Sequence, residues 1–136
     1  MPHWSEKYIG SPYIVNSADC ARLLSNVRRT EFNLPVPNDI EMERKASRLG
    51  RTAQMSDLVG EYGEKTDSPK EGDAVLMMCR GRPSHIGVYC IIDGEPAVLH
   101  AMENAGMVVL HRIRELNRVF LTVEGYYAWK PCNKPA

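Results

Sequence analysis

The chain has 136 residues, enough for one domain with a buried core, and its 43% hydrophobic and 25% charged content is that of an ordinary globular protein. Its 17 basic and 17 acidic residues balance, so it lacks the cationic surplus that binding nucleic-acid phosphates requires. Four cysteines without a Cys-x-x-Cys pair point away from a structural metal, and no cofactor is expected. Three of the four fall in apolar or helical patterns, which suits free thiols in a reducing compartment.

Met1–Lys7 has no basic stretch leading into an apolar one, and no run of 18 apolar residues occurs. The expectation is a cytoplasmic product without a secretory signal or a membrane span. No repeat or low-complexity segment is visible, so residues 1–136 read as a single domain. Residues 3–9 suggest a short helix broken at Gly10-Ser11-Pro12. The first well-defined helix is predicted over Ala18–Thr30, where Cys20, Leu23, Leu24 and Val27 fall on one stripe. Asn16 or Ser17 can cap it, and Asp19 puts a carboxylate at its start. Two prolines in Leu34-Pro35-Val36-Pro37 forbid helix there. A second helix is predicted over 39–49, stopping near Gly50, and a third over 52–63.

From Ser68 the period changes to that of strands. Ala74–Cys79 reads as a buried strand after the turn Ser68–Asp73, and residues 84–92, 95–102, 106–112 and 123–129 follow as further strands. Helices first and strands second predict an α+β domain, with N-terminal helices packed on an antiparallel sheet.

Cys20 in the first turn of a helix is placed where the macrodipole and unpaired N–H groups favour a thiolate. Asp93-Gly94 between two apolar runs signals a two-residue hairpin loop. Ile92 then faces Glu95, Tyr89 faces Val98, Gly87 faces His100 and His85 faces Met102. His85 and His100 thus share a face as diagonal neighbours, about 7–8 Å apart between strands. An odd loop would put them on opposite faces. A helix-start thiol with two such imidazoles supplies a nucleophile, a base and an orienting group. His85 is the expected base toward Cys20, and His100 the group that fixes its tautomer. The Cys20 backbone N–H is the expected oxyanion donor. His3 and His111 read as structural, Cys79, Cys90 and Cys132 as packing or surface thiols, and Met77-Met78 as core. Arg80 and Arg82 read as a solvated loop rather than a carboxylate-binding pair.

At these residues the chain resembles the NlpC/P60 family of papain-like cysteine peptidases, phage-tail-associated type. The matching pieces are Gly10-Ser11-Pro12-Tyr13, Asp19-Cys20, Glu71-Gly72-Asp73-Ala74-Val75, Ser84-His85-Ile86-Gly87-Val88-Tyr89 and Val98-Leu99-His100-Ala101, with Gly125-Tyr126-Tyr127-Ala128-Trp129 as a closing strand. Their order and spacing, from about Tyr8 to Trp129, carry the resemblance. It implies a papain-like fold and a Cys20–His85–His100 triad, with Tyr13 lining the oxyanion region. It also implies hydrolysis of peptidoglycan stem peptides and association with phage-tail proteins. The usual glycine-rich stretch is shortened here to Ile14–Ala18, and Ala21 stands where serine is frequent after the nucleophile. Two alternatives stand beside the peptidase: a catalytically silent tail-assembly protein of the same fold, and a permuted lipid acyltransferase. The second is disfavoured because Cys20 precedes both histidines.

Overall fold

The structure, a computed structural model, describes residues 3–14, 20–33 and 63–129, and at positions 20, 21, 84 and 129 the backbone alone. The helix expected over 39–49, residues 52–62 of the helix expected over 52–63, the capping residues Asn16, Ser17 and Asp19, and Cys132 lie outside the described residues.

Trp4–Lys7 is a short 3₁₀ helix rather than a helix over 3–9. His3 caps it, accepting from the Ser5 N–H. Helix α1 is Cys20–Glu31, close to the predicted span. Its stripe is buried as the periodicity requires, with Leu23, Leu24 and Val27 in the core, each contributing about 1.5–3 kcal/mol. Ser25 and Arg28, outside that stripe, are buried too. Arg28 donates to the Gly72 carbonyl at 3.2 Å, and burial pushes its guanidinium down to about 10, still charged at neutral pH.

Among the described residues six strands follow: β1 (Gly63–Thr66), β2 (Ala74–Cys79), β3 (Arg82–Ile92), β4 (Glu95–Met102), β5 (Met107–Arg112) and β6 (Leu121–Trp129). They form one sheet in the order β1-β6-β2-β3-β4-β5, and every neighbouring pair is antiparallel. A helix with an antiparallel sheet bears out the α+β class at that level. Two elements depart from expectation. Gly63 opens a strand instead of closing a helix, and the polar stretch after β5 is a 3₁₀ helix, Ile113–Val119.

The sheet buries both faces. Ala74, Leu76, Ile86, Val88, Cys90, Ala97, Leu99, Ala101 and Val108 pack with Leu23, Leu24 and Val27 of α1. The alternate positions Val75, Met77, Tyr89, Val98 and Leu121 pack with Leu116 of the 3₁₀ helix Ile113–Val119. The N-terminal segment is fastened at several points. Trp4 Nε1 donates to Glu71 at 2.6 Å, Tyr8 donates its hydroxyl to Glu31 at 2.7 Å, and Pro12 bridges to Met107 at the β5 edge. Among the described residues no helix is long and apolar enough to cross a membrane.

Leu24 is fully buried at the centre of the α1–sheet contact. Leu24→Ala is expected to cost about 2–5 kcal/mol, read as a lower midpoint in urea denaturation without a change in slope.

Candidate active site

The geometry around the histidines begins at the β3–β4 turn. Asp93 and Gly94 have φ of 52° and 78°, the paired positive values that a type I′ hairpin needs. The register is the expected one, running from Ile92–Glu95 to Val88–Leu99. There the ladder stops, although β3 continues back to Arg82 and β4 forward to Met102. Just before His85, β3 carries a bulge: Met77 pairs with His85 but Met78 with Pro83, so Ser84 is the extra residue. Bulges next to a site re-aim the side chains beside them. β6 has a matching bulge, since Leu76 pairs with Gly125 and Met77 with Val123.

His85 and His100 meet as the diagonal register predicts. His85 Nε2 lies 2.8 Å from His100 Nδ1, with the rings nearly perpendicular at 75°. The contact does not end there. His100 Nε2 lies 2.9 Å from Nδ1 of His111, which sits opposite Val98 and so is diagonal to His100 on β5. His111, expected to be structural, is thus the third imidazole of a chain spanning three strands. The signal that reveals it is loop length. Strands ending at 102 and restarting at 106 imply a three-residue loop, which turns His111 to the other face. The observed loop has four residues, Glu103–Gly106, with Met102 facing Met107.

His100 has no exposed surface. Burial first, then the neighbouring His85 and His111, push its pKa down from 6.5 to about 2. It is a neutral imidazole at any ordinary pH, with one N–H and one lone pair to divide between two partners. His85 and His111 are half-buried. The nitrogens face each other in pairs, and among the described residues no group of three or more histidine, cysteine or carboxylate side chains is arranged to hold a metal ion.

Cys20 is the first described residue of α1, within the span expected for the helix, and its description stops at the backbone. Tyr13 packs against the α1 side of the sheet, and its N–H donates to the Gly106 carbonyl at 2.9 Å. The histidines occupy the other alternation. Ile86, Leu99 and Ala101 face α1, whereas His85, His100 and His111 share parity with Met77 and Val98 on the opposite face. The structure therefore brings the imidazoles together with each other and sets Cys20 and Tyr13 on the helix side. Past Val88–Leu99 the β3–β4 ladder has ended. At that level Gly87 is closely surrounded. A Cβ there would stand 2.6 Å from Val98 Cγ2, 2.9 Å from the Leu99 carbonyl oxygen and 3.0 Å from His100 Cβ.

Other expectations resolve simply. Arg80 and Arg82 are exposed, Met77 is core, and His3 is structural, with Nε2 3.0 Å from Glu71. Cys79 and Cys90 are free thiols, and burial pushes the Cys90 thiol up to about 12.

Gly87→Ala is expected to destabilise by about 1–3 kcal/mol through overpacking, with the His100 ring signals moving in an NMR spectrum. A second expectation concerns acid. Above pH 6.5 folded and unfolded chains both hold His100 neutral. Below it the unfolded chain takes the proton first, so stability falls by about 1 kcal/mol per pH unit down toward the folded value. His100→Gln should flatten that part of the acid limb in urea titrations run across it.

Compared with known proteins, the chain matches no protein-family model, no curated protein and no solved structure.

Proposed function

We propose that this chain is a cysteine peptidase of the papain-like NlpC/P60 type, cleaving peptidoglycan stem peptides as a component of a phage-like tail. The observation that carries the reading is the 2.8 Å contact from His85 Nε2 to His100 Nδ1, on strands that pass beside a helix opened by Cys20. A base held at one nitrogen by a neutral, buried partner is left to exchange protons through the other.

In this mechanism His85 takes the Cys20 proton at Nδ1, and the thiolate attacks the scissile carbonyl carbon. The tetrahedral oxyanion is held by the Cys20 N–H, with Tyr13 beside it. His85 returns the proton to the leaving amine, and water activated by the same ring then hydrolyses the thioester. The mechanism requires the thiol and the imidazole to meet beyond Val88–Leu99, where the β3–β4 ladder has ended.

One observation favours a second reading, a tail-assembly protein of the same fold without turnover. The apolar stripe of α1 lies on the sheet face opposite the three imidazoles.

The test is mass spectrometry of purified peptidoglycan and soluble stem peptides incubated with wild type and with Cys20→Ala. New fragments from wild type alone are the expected result and locate the bond. Identical products from both folded proteins on several wall types would transfer the assignment to the assembly protein. The peptidase reading also requires iodoacetamide to modify Cys20 faster than the other three thiols, with the buried Cys90 slow. Equal rates at all four native thiols would contradict an activated nucleophile.

A further inference from the structure

Three imidazoles joined nitrogen to nitrogen do not choose their tautomers independently. Neutral His100 has one N–H, so its two contacts, at 2.8 and 2.9 Å, must run in the same direction. In the forward direction His85 Nε2–H donates to His100 Nδ1, and His100 Nε2–H donates to His111 Nδ1. In the reverse direction His111 Nδ1–H donates to His100 Nε2, and His100 Nδ1–H donates to His85 Nε2. The forward chain uses the Nε2–H tautomer at all three rings, which is the intrinsic preference of neutral histidine. The reverse chain needs the less favoured Nδ1–H form at all three. Only the forward chain leaves the lone pair of neutral His85 at Nδ1.

We propose that His111 is a positioning residue for the site: by accepting at Nδ1 the hydrogen bond from His100, it holds the chain in the forward direction and keeps the His85 Nδ1 lone pair ready for the thiol proton. The kinetic consequence rests on the peptidase reading, whereas the direction of the chain does not. A second consequence follows from counting hydrogens. Protonated His85 has an N–H at Nε2 and demands the forward direction. Protonated His111 has an N–H at Nδ1 and demands the reverse. With both contacts intact the trio takes up one proton, at one end or the other. A proton on half-buried His111 removes the lone pair from Nδ1 of His85 two strands away.

The remaining charged or titratable groups on the elements packed against β5 have partners of their own or lie on the other side. Glu95 of β4 is held by Arg112 and Arg114, and Glu115 of the 3₁₀ helix by Arg118 and the Arg112 N–H. Glu103 lies in the β4–β5 turn, Tyr89 shares the histidine face with Tyr126 against it, and Tyr13 packs on the α1 side. Of the described groups, the one hydrogen-bonded to the His111 ring is His100.

The experiment uses the full chain labelled with 15N at histidine and reads each tautomer from long-range proton–nitrogen correlations at neutral pH. Wild type should show Nε2–H at His85, His100 and His111. In His111→Leu the acceptor is gone, so His100 should turn its hydrogen to Nδ1 and His85 should become Nδ1–H. On stem peptides, kcat should fall by about tenfold or more, within the roughly 10⁴-fold cost of a wrong tautomer in a serine-protease triad, with KM little changed. His111→Asn, whose side-chain oxygen can accept in place of Nδ1, should restore both readouts toward wild type.

Unchanged tautomers of His85 and His100 in His111→Leu would overturn the proposal, as would Nδ1–H at His100 in wild type. Should the leucine variant not fold, titration of wild type from about pH 8 to 5 decides alone. One proton shared by the trio supports the chain, and independent uptake by His85 and His111 refutes it. If the tautomers are as stated but wild type cleaves no wall peptide, the peptidase reading fails and the proton chain stands.

Discussion

A turn of two residues sets the parity of this sheet. With Asp93 and Gly94 both at positive φ, β3 and β4 have one register, and every side chain on them is assigned to a face. One set meets α1 and makes the larger apolar cluster; the other meets the 3₁₀ helix Ile113–Val119. His100 belongs to the second set and is buried without a charge to neutralise it. It is tolerated because the same parity brings an imidazole to each of its nitrogens, so that a polar ring in the interior leaves no donor or acceptor stranded.

The position of α1 depends on contacts spread along its length. Leu23, Leu24 and Val27 hold its face to the sheet, and the buried Arg28 ties its last turns to Gly72. Tyr8 and Lys7 reach its final residue, Glu31. With the C-terminal half held this firmly, the start of the helix follows as a rigid extension. In the proposed mechanism the nucleophile is aimed by packing one to three turns along α1 and the base by a sheet register, two largely separate determinants. Their convergence at the end of the β3–β4 ladder is what the peptidase and the silent assembly protein would do differently.

The parts of this fold that sequence reasoning reached are those written in short, unambiguous codes. The stripe Leu23, Leu24 and Val27 located α1, and Asp93-Gly94 supplied a register that brought His85 and His100 side by side. The parts it missed depend on longer-range information. Gly63–Thr66 is a four-residue edge strand whose pairing with β6 outweighs a pattern that also fits a helix. Ser25 and Arg28 look polar in the pattern, but the helix lies deep enough in the structure to bury both. The face of His111 hangs on one residue of loop. Glu103–Gly106 has no two-residue signature to fix its length, and a slip of one reverses every face on β5. The bulge at Ser84 likewise has no mark in composition, because it is a property of the paired strands.

The β5 edge is covered from an unexpected direction. Gly10 donates to the Val108 carbonyl and Val108 to the Ser11 carbonyl, and the Tyr13 N–H reaches the Gly106 carbonyl, so the segment ahead of α1 serves as a partial seventh strand. An exposed strand edge is a template for pairing with another chain, and here the protein's own leading residues occupy it. Loss of this segment to a protease would strip Tyr8 and Tyr13 from the larger hydrophobic cluster and leave a row of unpaired amides and carbonyls. Strand exchange between copies would then be the route by which clipped molecules accumulate as dimers and longer polymers.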